Sequence, residues 1–170
     1  TAFRQSLYYG VDLTNYFART NAVDPLSVEN NGHTLKSTVY TTDGTDYADI
    51  VKDKLGLGVY NGAAPVRLNS EKAAELKAKA ISELKAFGVT FPVEIDYYIK
   101  SDNANAQAMA EVLKACFENS LGSDYVQLNI CYYVTSLSQE VRVPKLSSAF
   151  INGWGMDYAD PINNLSQEVK

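Results

Sequence analysis

The sequence predicts an α/β chain with a mostly parallel sheet flanked by helices, and three observations carry that prediction. Residues 91–99 and 125–133 alternate apolar and polar side chains with the two-residue period of a strand. Between them, Ala106, Met109, Ala110, Leu113 and Phe117 recur at the three/four spacing of a helix face. A short helical pattern at 136–143 and a third apolar run at 148–152 follow. The order strand, helix, strand, helix, strand implies right-handed crossovers between parallel strands.

Composition narrows the classes. The 170 residues are 46% hydrophobic and 21% charged, ordinary for one soluble globular domain with a real core. No apolar run reaches the length of a membrane span. A net charge of −5 without a basic cluster argues against a nucleic-acid backbone as partner. Twelve tyrosines supply contact area with a polar tip, suited to half-buried strands and, beyond them, to a binding surface. Cys116 falls in a helical pattern and Cys131 in a strand pattern, so both read as small core residues. They could pair only if that helix packs over that strand at the right point. The single histidine, His33, lies in a polar loop, and no Cys-x-x-Cys occurs, which argues against a transition-metal site; no cofactor is expected. The chain opens without Met or signal sequence, already inside a helical pattern, and reads as a mature or excised piece.

The elements follow in order. Phe3, Leu7 and Val11 recur every four residues on one helix face, weakened near its end by Gly10. Asp12 can cap a second helical segment through Leu13, Tyr16 and Phe17. Residues 20–44 are polar and turn-rich, long for a structureless loop in a compact domain, and so belong to a binding surface or rest on a missing partner. Residues 46–55 read as a short helix ending before Gly56, and 57–68 as a second loop. Asn69 or Ser70 caps a helix whose face carries Ala73, Leu76, Ala80, Leu84 and Phe87, stopped by Gly88. In the first strand Val93, Ile95, Tyr97 and Ile99 share a face. Asp102 or Asn103 caps the next helix, closed by Gly122. In the second strand Val126, Leu128, Ile130 and Tyr132 share a face.

The third strand runs into Gly153-Trp154-Gly155-Met156-Asp157-Tyr158. In open parallel sheets ligands sit at the carboxyl edge, which is where Trp154, Asp157 and Tyr158 then fall. A partly desolvated Asp157 would favour a cationic partner; it could equally brace its loop. Trp154 is either a core plug or a ligand wall. Asp157 and Asp160 could act as acid and base, but Asp160 before Pro161 is a turn signal. Gly56-Leu57-Gly58 lacks the strand-turn-helix context of a phosphate loop, and a Ser/His/Asp triad would need His33 with no marked serine.

Three motifs carry a resemblance to a family. Phe3-Arg4-Gln5-Ser6-Leu7-Tyr8-Tyr9-Gly10-Val11-Asp12 resembles the "RQAL-x-YA-x-D" helix of the extracellular solute-binding proteins of oligopeptide and dipeptide ABC importers. Asn69-Ser70-Glu71-Lys72-Ala73 resembles their "DPEKAK" helix start, and Gly153 to Pro161 their "GW-x-ADY-x-DP" signature. The departures are Ser6, Gly10 and Met156, where the family usually has alanine. The resemblance implies a type II periplasmic-binding-protein-like fold, with residues 1–170 a single domain forming most of one of two α/β lobes. It implies a non-enzymatic importer subunit that captures oligopeptides between the lobes. By motif position Asp157 would pair with the ligand's amino terminus, Gly155 and Met156 would lie along the peptide backbone, Trp154 would help form the wall, and Tyr158 would be a further ligand-binding residue. Implied partners are a peptide or other small solute, membrane permease subunits and the missing second lobe, at the outer membrane face (lipid-anchored) or in a periplasm. Alternatives are the same fold holding a sugar or a metal chelate, a surface peptide receptor and, in another class, a hydrolase using Asp157 and Asp160.

Overall fold

The computed structural model describes residues 1–29, 32–56, 67–150 and 160. They divide into two compact units, Thr1–Pro25 with Leu68–Ile151, and Leu26–Arg67 with Asn152–Lys170.

The first unit holds helices α1 (Ala2–Gly10) and α2 (Thr14–Ala18), and, from the second unit's chain segment, α3 (Tyr47–Leu55) is counted next in order. The first unit then continues with α4 (Ser70–Ala86), β1 (Val93–Lys100), α5 (Ala104–Leu121) and β2 (Val126–Tyr133). Strands β1 and β2 pair in parallel from Val93↔Val126 to Lys100↔Tyr133. A parallel pair cannot be closed by a tight turn, so the chain crosses over through α5. Asn103 accepts the Ala106 N–H at 2.9 Å and so starts α5 at the expected place; Asn69 does the same for α4 with Lys72 N–H at 2.9 Å. Ala149 pairs in parallel with Tyr97, and the Ser148 and Ala149 N–H groups both donate to the Asp96 carbonyl. This places β1 between β2 and the start of the expected third strand; residues 151 and 152 of that strand lie outside the described residues.

The sheet has two unlike faces. Ile95, Tyr97, Ile99, Val126 and Leu128 are buried beneath α5, joined by Ala110 and Cys116 from that helix. The other face carries Glu94, Asp96 and Tyr98 beside Gln127, Asn129 and Cys131. There the Asn129 amide donates to both Glu94 and Asp96 carboxylates, at 3.2 and 3.1 Å. The expected apolar face of β2 fades toward its end, and Tyr132 is 54% exposed. Cys131 is half-buried on the face away from α5, whereas Cys116 is buried under it; both are free thiols. Phe87, expected on the buried face of α4, is the C-cap and is 85% exposed, because the helix has ended before the ring can turn inward.

Helix α1 packs on α4, and its last residue explains one departure from the family pattern. A Cβ on Gly10 would sit 2.6 Å from Leu121 Cδ2 and 3.1 Å from Ala73 Cβ, too close for alanine without a shift. Ser6 explains another. It is fully buried, its hydroxyl donates to the Phe3 carbonyl at 2.7 Å, and the Tyr125 hydroxyl therefore donates to Ser6 Oγ at 2.8 Å. The Tyr125 ring is 1% exposed, between Phe3 (centroids 5.5 Å) and the stacked Phe91 (5.7 Å). Lys77 Nζ lies 5.0 Å over the same ring and donates to the Leu121 carbonyl.

In the second unit, α3 begins at Tyr47, one residue inside the expected 46–55 span, and Asp46 is its N-cap. Its carboxylate accepts N–H bonds from Ala48 at 2.9 Å and Ser37 at 2.7 Å, which hold its pKa below the ordinary range. The helix ends at Gly56 in the left-handed conformation (φ 60°), which glycine tolerates best. The polar 20–44 stretch contains a 3-10 turn at Pro25–Val28 and an antiparallel bridge from Tyr40 to Asp46. Arg67 and Glu29 form an ion pair at 2.8 Å with both side chains almost fully buried.

Ser6→Ala should leave the Tyr125 hydroxyl buried without its acceptor and cost about 1–3 kcal/mol in urea unfolding. Adding Tyr125→Phe should recover part of that loss; strictly additive effects would show that the bond contributes nothing.

Candidate functional site

The parallel strands end together, and their carboxyl edge is where the sequence places a ligand. Three features assemble there. First, the chain leaving β1 is braced: Ser101 N–H donates to the Tyr133 carbonyl at 2.9 Å, and Gln107 Nε2 to the Ser101 carbonyl at 2.8 Å. Lys100 pairs with Asp102 at 3.0 Å. Second, the loop after β2 wraps around one carboxylate. Glu140 sits in a π-helical turn at Ser138–Arg142 and accepts N–H bonds from Val134, Thr135 and Ser136 at 2.9, 2.7 and 2.7 Å. Consecutive N–H groups pointing at one anion are a backbone anion cradle, here filled by the chain's own side chain. Third, a recess of about 260 Å³ opens at the edge, walled by Tyr16 of α2, Tyr97 and Ile99 of β1, and Ala106 and Met109 of α5, with Leu137 across.

Burial governs the chemistry of the recess. It raises the Tyr97 phenol to about 12, with Tyr16 adding a smaller push, and it raises Tyr16 as well. Both phenols therefore stay neutral and can donate hydrogen bonds at any physiological pH. Among the described residues that line the recess, none is a Ser, Cys, His, Asp or Glu. Among the described residues, no group of His, Cys, Asp and Glu is arranged to hold a metal ion, and no helix is long and apolar enough to cross a membrane.

The sequence-derived site residues Trp154, Gly155, Met156, Asp157 and Tyr158 lie outside the described residues. Asp160 is described and half-buried, and His33 is exposed in its polar bend. The structure adds a set that the sequence did not single out: Tyr16, Tyr97, Met109 and Leu137. The available signal was tyrosine placed at the last residues of both strands, but only the packing of α2 onto α5 brings Tyr16 to them.

Known proteins now bear on this arrangement. No protein-family model matches the chain. The oligopeptide-binding protein AliB of Streptococcus pneumoniae is 26% identical over 178 residues, 96% of this chain and 27% of that protein. The oligopeptide-binding protein SarA of Streptococcus gordonii is 28% identical over 181 residues, with the same shares of 96% and 27%. The chain is similar in sequence to these oligopeptide-binding proteins. It spans about a quarter of the length of those relatives. The crystal structure of an oligopeptide ABC transporter substrate-binding domain from Bacillus anthracis superimposes with a TM-score of 0.65 at 24% identity, over 97% of this chain and 28% of that one. The fold is accordingly that of part of a type II periplasmic-binding protein, as the helix-flanked parallel sheet and the resemblance of the three motifs imply.

The three N–H bonds, led by that from Val134, hold the Glu140 carboxyl below its ordinary range. A depressed folded-state pKa contributes stability above the unfolded value of about 4.3, lost as pH falls through the folded value. Glu140→Gln should therefore lower the melting temperature at pH 7 and flatten its decline between pH 5 and 3. Equal melting curves for the two proteins at pH 7 would contradict this role.

Proposed function

We propose that this chain forms most of one lobe of a two-lobe solute-binding protein that captures oligopeptides for an ABC importer. The observation carrying the reading is similarity to AliB and SarA across nearly the whole chain, together with a fold match to a transporter's substrate-binding domain. A parallel sheet with a recess at its carboxyl edge is the half-cleft that such a reading requires. The partners are a peptide, the second lobe of the same protein and the membrane permease, and the protein works on the outer face of the membrane or in a periplasm. It binds and releases its ligand unchanged and is not an enzyme.

Asp157 is the residue we assign to the ligand's amino terminus, with Trp154, Gly155, Met156 and Tyr158 beside it. Support comes from the Gly-Trp-Gly-Met-Asp-Tyr signature and from its position just after Ala149, which pairs with β1 and runs in the same direction. In a cleft closed to water, one carboxylate facing one ammonium both orients the peptide and rejects blocked termini.

In the full-length protein containing this chain, Asp157→Ala should weaken a free-amine peptide by about 3–5 kcal/mol, the loss seen when one partner of a buried ion pair is removed. Calorimetry with that peptide and its N-acetylated twin reads this directly. Equal binding of both peptides by the wild-type protein would overturn the assignment.

A further inference from the structure

We propose that the recess between Tyr16, Tyr97, Met109 and Leu137 accepts one bulky, uncharged side chain of the bound peptide. The proposal rests on the peptide-capture reading and adds a specificity determinant to it.

Size is the first argument. At about 260 Å³ the recess has room for about nine waters at ~30 Å³ each. That is below the roughly 300–1,000 Å³ of pockets that enclose a whole small ligand, and suits a single side chain. Its walls are the second. Four tyrosines, Ile99, Ala106, Met109 and Leu137 present apolar surface that gains by losing water. Methionine adapts its shape to what it meets, which suits a pocket that takes several large residues.

Charge is the third. The cation at the rim, Lys100, is already paired with Asp102 at 3.0 Å, so no opposite charge waits for a charged guest. An ionised side chain entering would lose its water without compensation. The fourth is a donor in the wall. Tyr97 lines the recess and is 7% exposed, and its phenol, kept neutral by burial, can donate to the tip or backbone of an incoming residue. The recess also lies at the ligand edge of the sheet, beside the strand position where Ala149 pairs with Tyr97.

The test uses the full-length protein and a positional library of hexapeptides in an all-alanine background with free termini. At one peptide position Phe, Tyr or Leu should bind at least about tenfold tighter than Ala, in line with the gain from filling an apolar pocket, and Asp and Lys should bind more weakly than Ala. Two variants fill the recess from different elements, Ala106→Leu on α5 and Leu137→Phe opposite it. In whichever variant retains the wild-type melting transition, the all-alanine peptide should keep its affinity while the advantage of the large residue disappears. Absence of any such position, or its survival in a folded filled variant, would overturn the pocket while leaving peptide capture intact. Failure of every library peptide to bind the wild-type protein would instead overturn the peptide reading and this inference with it.

Discussion

The burial of Tyr125 is the constraint on which the first unit depends. A phenol ring cannot be buried without a partner for its hydroxyl, and here the partner comes from α1 through Ser6. The ring is packed by Phe3 of α1 and by Phe91, just before β1, and is covered by Lys77 of α4. The Val93 N–H donates to the Tyr125 carbonyl, which sets the register of the two strands at their first pair. One residue thus joins two helices to the beginning of the sheet. Fixing that end also fixes where the strands finish, and so positions the carboxyl edge where Tyr97, Lys100 and Tyr133 meet.

The two ends of the sheet are held by different physics. At the amino end stabilisation comes from aromatic packing and one buried hydrogen bond. At the carboxyl end it comes from backbone N–H groups gathered on Glu140, from the Asn103 cap and from the Lys100–Asp102 pair. Polar bonds near solvent are weaker and easier to rearrange than a dry aromatic cluster. A binding protein needs its adaptable groups at the ligand edge and its rigid packing away from it, and the residues are distributed that way.

Much of this was legible in the sequence, because it depends on neighbours in the chain. Asn69 and Asn103 mark helix starts since each cap bonds an N–H three residues on. The alternation in residues 93–99 identifies the face that α5 covers. What was not legible depends on distant partners. Alternation assigns Tyr132 to the covered face but cannot say that the cover gives out before the strand ends. Ser6 and Gly10 looked like departures from a motif; their reasons, Tyr125 and Leu121, lie more than a hundred residues away. Tyr16 and Tyr97 become neighbours only once α2 packs on α5. The signature around Asp157 was readable as a motif, and its geometry lies outside the described residues.

The bond between Ser6 and Tyr125 spans 119 positions of the chain. Synthesis runs from the amino end, so α1 is made long before the residue that satisfies it. At roughly 5–20 residues per second, the interval is on the order of 6–24 seconds. Throughout that time the apolar face of Phe3, Leu7 and Val11 has no sheet to cover, and a nine-residue helix is too short to persist alone. Helix α1 is therefore made well before it can settle, and its sequence has to tolerate a long unfolded wait as well as fit its final place.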